Sequence, residues 1–259
     1  IFFVHSLSIS AQKSAIYTQD SKDFDKALSL YNDNQYASAQ LIFEKVKAAT
    51  ANEELKSDCS FYVANCAIRT NQPNADVLME HFVTDYPTSR KQNQAYVGVA
   101  HYYFAQGNYP KALEWFEKVD DNNLNYSERD QYNFQKGYSF FSSKNKKEAT
   151  TYFNKVANSK EYGSQAKYYL GFMAYEGDDY KQATKYFDEV SSEEKYKEKL
   201  SYYQADMNFK LGNFQKAIDL GTKAMTKSNE IEKSELNKII GESYFNLKQY
   251  DKSIPYLAL

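Results

Sequence analysis

The side chains that could do chemistry are few in this chain, and their spacing assembles no reaction. Its three histidines, His5, His81 and His101, stand far apart, with no HExxH pair and no second ligand at metal spacing beside any of them. Cys59 and Cys66 fall on one predicted helix, about two turns or ~10 Å apart along its axis, beyond the ~7 Å that a disulfide spans. They lie on a packing stripe, where a thiol behaves as a small hydrophobe. The adjacent carboxylates Asp178-Asp179 and Glu193-Glu194 sit in turn-forming sequence, which explains them without acid–base work on a substrate. Neither a glycine-rich phosphate loop nor a GxSxG nucleophile turn occurs. These absences predict a chain that is not an enzyme and uses no metal and no small-molecule cofactor. A formal charge of −2 with interspersed signs offers no footprint for a phosphate backbone, so nucleic acid is not an expected partner.

Aromatic side chains are the abundant chemistry: 25 Tyr and 17 Phe against a single Trp. Rings in that number either fill an interior or line a surface that holds something else. The elements that position them are helices. Only four prolines and nine glycines interrupt 259 residues, and no stretch beyond the first residues resembles a membrane span, so the mature chain is expected to be all-α without a transmembrane segment.

Small residues set the register. Tyr36-Ala39-Phe43, Tyr109-Ala112-Phe116 and Tyr180-Ala183-Phe187 repeat one pattern, joined by Phe214-Ala217, Ala149-Phe153, Ala75-Met79 and Tyr250-Ser253-Leu257. The small residues at 39, 75, 112, 149, 183, 217 and 253 are 36, 37, 37, 34, 34 and 36 apart, a period that marks a stacked repeat. Twelve residues before each comes a second small residue in an apolar run, clearest in Val99-Ala100-Tyr103, Leu170-Gly171-Ala174 and Ile240-Gly241-Tyr244. It lets two helices approach closely on one face. Between the helices stand Gly107-Asn108-Tyr109, Gly177-Asp178-Asp179-Tyr180 and Gly212-Asn213-Phe214. Glycine there is expected to take the left-handed conformation that ends a helix, and Asn or Asp to cap the next. Three positions depart from the pattern: Val63 where a small residue is expected, Lys146 for the turn aromatic, and Gly221 for a bulky residue.

Together these residues resemble the tetratricopeptide repeat family, over residues 22–259. The resemblance implies an all-α, right-handed solenoid of about seven antiparallel helical hairpins. Its first helices would line a concave groove that binds an extended or helical peptide. Carried over position by position, the inward stripe would present Phe24, Leu28 and Tyr31; Ser60, Ala64 and Ala67; Val97, His101 and Phe104; Phe134, Tyr138 and Phe141; Tyr168, Phe172 and Tyr175; Tyr202, Asp206 and Phe209; and Lys238, Glu242 and Phe245. The partner-binding residues expected on it are His101, Phe104, Phe134, Tyr138, Phe141, Tyr168, Phe172, Tyr175, Tyr202 and Phe209. A competing reading makes the rings inter-repeat packing, because the core-facing stripe of the sixth hairpin, Ser201, Gln204, Ala205 and Asn208, is polar. The family's clamp for a C-terminal carboxylate uses Lys or Arg and Asn on consecutive first helices; only Lys238 and Asn246 look similar, so it is not expected.

The implied function is a non-catalytic scaffold that binds a protein or peptide partner in cell-envelope assembly. The alternative is a glycan-binding accessory module whose groove tyrosines stack on sugars. Residues 1–12 carry no Lys, Arg, Asp or Glu and run from Ile1-Phe2-Phe3-Val4 into Ser8, Ser10 and Ala11, which looks like the end of a signal peptide. Residues 13–21 would be a linker or the start of the first helix. Export to the periplasm or outer membrane follows as an expectation, and the chain resembles large exported repeat proteins of Bacteroidetes-type bacteria. With no polar helix over the last hairpin, further repeats are expected after it.

Overall fold

The computed structural model describes residues 19–226 and 228–258, without the side chains of Glu198 and Lys199. The apolar opening at 1–12 lies outside the described residues, whereas residues 19–21 are already helical. Helix α1 covers 19–32. After it come α2 (Tyr36–Ala49), α3 (Glu53–Arg69), α4 (Ala75–Asp85), α5 (Gln92–Ala105), α6 (Tyr109–Phe116) and α7 (Tyr126–Ser142). These form one compact unit; the second holds α8 (Lys146–Val156), α9 (Gly163–Glu176), α10 (Tyr180–Val190), α11 (Glu194–Lys210), α12 (Phe214–Met225), α13 (Glu230–Asn246) and α14 (Tyr250–Leu257). Among the described residues there is no strand and no helix long and apolar enough to cross a membrane.

Besides a second one at Asn74 in the α3–α4 link, the turns between the two helices of each hairpin hold a left-handed residue in the same place, Asn34, Asn71, Gly107, Lys144, Asp178, Gly212 and Lys248. The amide that follows donates back into the finished helix, as Gln35 to Leu30, Asn108 to Tyr103, Asp179 to Ala174 and Gln249 to Tyr244. This is the Schellman closure of a helix end. In the fifth hairpin the left-handed residue is Asp178 (φ 61°) rather than the expected Gly177 (φ −95°). Asn and Asp tolerate that region because their short side chains bond locally, and the Tyr180 hydroxyl donates to the Asp178 carboxylate. Asn108, Asn145 and Asp179 then cap the second helices through their side-chain oxygens.

Within each unit, neighbouring helices pack antiparallel and successive first helices also touch, α3 on α5 and α5 on α7 in the first, α11 on α13 in the second. The small residues sit at the crossings. Ala39, Ala75, Ala112, Ala149, Ala183 and Ala217 have no exposed surface. A Cβ built on Gly171 would stand 2.5 Å from the Phe187 ring, and one on Gly241 would stand 2.6 Å from Leu257. Ser253 replaces the alanine of the last hairpin without leaving its hydroxyl unpaired, since it donates to the Gly241 carbonyl at 2.8 Å. The departure at Val63 is resolved by the turn bonding: Gln72 N–H reaches Ala67 as Asn108 N–H reaches Tyr103. Ala64, with no exposed surface, is therefore the small residue of α3; it stands eleven rather than twelve residues before Ala75, although the link between the helices, 70–74, is longer than the three-residue links of the other hairpins.

One contact recurs between hairpins. The buried Phe four residues after the alanine takes a tyrosine from the next first helix onto its face. Phe43 stacks with Tyr62 (4.9 Å between ring centres), Phe153 with Tyr169 (5.3 Å), and Phe187 meets Tyr203 at 6.0 Å. Burying one such phenylalanine contributes about 1.5–3 kcal/mol, and the aromatic pair adds about 0.5–1.5 kcal/mol.

Candidate functional site

The inward stripe has different chemistry in the two units. In the second unit the rings interlock. Tyr168 stacks on Tyr196 (5.2 Å, 18°), Phe172 stands edge-on to Tyr203 (5.9 Å), and Tyr175 meets Tyr203 at 5.0 Å. Tyr175 also donates to the buried Asp206 carboxylate at 2.6 Å, and Lys210 pairs with the same carboxylate at 2.9 Å while lying over the Tyr175 and Tyr180 rings. Burial and the hydrogen bond to Asp206 hold the Tyr175 phenol far above its ordinary pKa. Tyr202 packs on the cluster of Ala205, Ala224 and Leu236, and Phe209 on Phe214. The sixth hairpin's polar stripe is thus supplemented by Leu200 and Met207, both without exposed surface, while Asn208 is bonded to the Gln204 carbonyl and to Asn213.

In the first unit Phe104, Tyr109 and Tyr138 form a triangle of edge contacts between 5.4 and 5.7 Å. Phe134 is buried, and Phe141 leans on Tyr138. Of the ten stripe residues expected to meet a partner, each is buried or half-buried, and none is among the exposed large hydrophobic residues. The stripe expected on α3 is displaced by one position. Ala64 and Ala67 have no exposed surface, Ser60 is buried, and the residues that face inward are Phe61 and Asn65.

With that register, α3 and α5 enclose a groove of about 680 Å³. Its walls carry Phe61, Tyr62, Asn65 and Arg69 from α3 and Gln94, Val97 and His101 from α5, with Tyr31, Arg90 and, from the start of α7, Glu128 and Gln131 at its edges. The groove is therefore mainly polar, with two guanidinium groups. Neither Arg69 nor Arg90 forms an ion pair with a carboxylate among the described residues. Arg69 lies beside the Tyr31 hydroxyl, where its charge partly offsets the upward push of burial on that phenol.

Of the ten residues expected to meet a partner, His101 is the one that lines this groove, with Val97 and Tyr31 of the wider stripe beside it. Its Nε2 is buried without a hydrogen-bond partner, and its ring meets Phe116 at 6.0 Å. Burial, with the Arg69 charge adding to it, pushes its pKa down to about 4, so the imidazole is neutral near pH 7. Arg69, Arg90, Asn65 and Phe61 were not expected at a site. The first, third and fourth follow once Ala64 is taken as the small residue of α3; Arg90 lies in the connection before α5 and has no helical register to reveal it.

Cys59 and Cys66 are free and buried, and burial pushes each thiol up to about 12, which keeps them protonated. Among the described residues no group of His, Cys, Asp and Glu is arranged to hold a metal ion.

The architecture is that of stacked helical hairpins with small residues at every crossing, and known structures place it among tetratricopeptide repeats. A tetratricopeptide repeat protein from Parabacteroides merdae ATCC 43184 is similar over 92% of this chain and 91% of its own, with a TM-score of 0.56 and 15% identity. The pilF protein of Pseudomonas aeruginosa is similar over 86% of this chain and 99% of its own (TM-score 0.56, 14% identity), and MamA of AMB-1 over 64% and 88% (TM-score 0.55, 16% identity). At these identities the likeness is one of fold. No family model matches the chain, and no curated protein does. The chain has the tetratricopeptide-repeat fold.

Proposed function

We propose that this chain is a non-catalytic protein-interaction scaffold of the cell envelope, which holds an extended or helical segment of a protein partner in the groove of its first unit. The observation that carries the reading is a groove of about 680 Å³ with a mainly polar lining, whose two arginines have no carboxylate partner among the described residues. An exposed guanidinium without a carboxylate partner can meet a carboxylate of a guest through two parallel hydrogen bonds. Asn65 and Gln94 add polar groups for a peptide backbone, and Phe61 and Tyr62 add apolar walls for its side chains. The tetratricopeptide-repeat fold supports a role in holding proteins, and the signal-like opening of the sequence supports export to the periplasm or outer membrane.

The test is capture of partners from an envelope extract by the chain and by its Arg69→Glu, Arg90→Glu double variant. Both side chains are exposed, so the variant is expected to fold normally and to lose at least tenfold in binding. Equal capture by the two proteins would remove the groove from consideration.

A further inference from the structure

The groove of the first unit lies at a joint between hairpins that lacks its ring. In three other joints a tyrosine two residues before the small residue of a first helix meets the phenylalanine of the preceding hairpin: Tyr62 on Phe43, Tyr169 on Phe153 and Tyr203 on Phe187. The same position is Gln135 in α7 and Ile239 in α13. In α5 it is Gly98, and Met79, without exposed surface, stands in the phenylalanine's place.

Packing does not call for a glycine here. A Cβ built on Gly171, Gly221 or Gly241 would come within 2.9 Å of a neighbouring side chain, whereas one on Gly98 would meet only Met79 Cε, at 4.0 Å. Gly98 lies inside a helix and is not among the left-handed residues, so alanine would fit and the glycine weakens α5. What it does is leave a wall open. Gly98 is half-buried and lines the groove with Gln94, Val97 and His101, which together make one face of α5 at i, i+3, i+4 and i+7. The wall on α3 carries the Phe61 and Tyr62 rings.

We propose that Gly98 is the specificity-determining residue of this groove, and that the space over it receives an aromatic side chain of the bound segment. The inference rests on the groove being the partner site. The guest's ring takes the part that Tyr62, Tyr169 and Tyr203 play in their own joints, with Met79 behind it and the rings of α3 facing it. An aromatic side chain fits better than an aliphatic one for two reasons. The repeat accepts a ring at this position three times, and rings gain an edge-to-face attraction and a thioether contact that aliphatic chains lack.

The probe is a phage-displayed library of random peptides about twelve residues long, selected on the full chain. The selected peptides are expected to share a Phe, Tyr or Trp at one aligned position, and its replacement by Ala should weaken binding at least tenfold. Gly98→Tyr supplies the ring from the chain itself and is expected to bind those peptides at least tenfold more weakly. Gly98→Ala should raise the urea midpoint, because packing does not require the glycine. Should Gly98→Tyr disturb the joint, as circular dichroism would reveal, the aromatic requirement and Gly98→Ala decide. No selected peptide, selected peptides without a shared ring, equal binding by a folded Gly98→Tyr, or a lowered midpoint for Gly98→Ala each overturn the proposal. The Arg69→Glu, Arg90→Glu variant separates this from the wider reading. If it loses the peptides while Gly98→Tyr keeps them, the groove stands and the ring subsite falls; if both keep them, the groove falls as well.

Discussion

The two units use one scaffold with opposite results on the inward stripe. In the first, α3 and α5 present Phe61, Asn65, Val97 and His101 to a groove of about 680 Å³ rimmed by Arg69 and Arg90. In the second, the same positions carry Tyr168, Phe172, Tyr202 and Asp206, whose side chains lock successive helices together through ring contacts and through the Tyr175–Asp206–Lys210 chain. A stripe position in a helical repeat is therefore not a binding position by geometry alone. Large rings reach the neighbouring helix and become packing, whereas shorter polar side chains stop short and leave space. Aromatic abundance thus marks interlocked packing in the second unit's stripe, and the polar residues line the open groove of the first.

The comparison can be broken most forcefully at the inter-hairpin stack. Phe187→Ala removes a ring without exposed surface that faces Tyr203, and is expected to lower stability by about 3–5 kcal/mol, read as a fall in the urea midpoint. A smaller effect comes from acid in the first unit. His101 has a folded pKa of about 4, below its unfolded value of ~6.5. The unfolded state therefore takes up the proton first, and the stability present above pH ~6.5 is lost as pH falls to 4, by about 3 kcal/mol in all. Urea titrations from pH 7 to 4 should show this loss, and His101→Gln should flatten it. Gly171→Ala pushes a methyl to 2.5 Å from the Phe187 ring and should destabilise by about 1–3 kcal/mol. The smallest change is expected at the groove, where Arg69→Ala should alter stability by less than about 0.5 kcal/mol, because the arginine is exposed and unpaired with any carboxylate. Thiol labelling sharpens the picture from another side. With both thiols buried and pushed up to about 12, native protein at pH 8 should react with a maleimide only at the rate at which the first unit opens.

Much of the hairpin array was legible because its determinants are local. The alanines at 39, 112, 183 and 217 mark crossings that only a small residue permits, and the Asn and Asp residues of the turns act through their own backbone. Gly177 misled because glycine is the default left-handed residue, while here Asp178 takes that place and Gly177 ends the helix before it. The site was less legible for two reasons. An irregular α3–α4 link, five residues rather than three, set the small residue of α3 at Ala64 instead of Val63 and rotated every face assignment on that helix, hiding Asn65 and Arg69. Whether Tyr168 or Phe172 meets solvent or the next helix depends on Tyr196 and Tyr203, which no periodicity within a single helix discloses.

The central claim is that the first unit receives a partner and the second unit's stripe holds the fold. The most direct measurement pairs the unfolding midpoint with partner binding per folded molecule for Phe172→Ala and for Arg69→Glu, Arg90→Glu. The account predicts that Phe172→Ala lowers the midpoint and leaves binding unchanged, while the arginine variant keeps the midpoint and loses at least tenfold in binding. Lost binding at an unchanged midpoint for Phe172→Ala, with binding retained by the arginine variant, would contradict it.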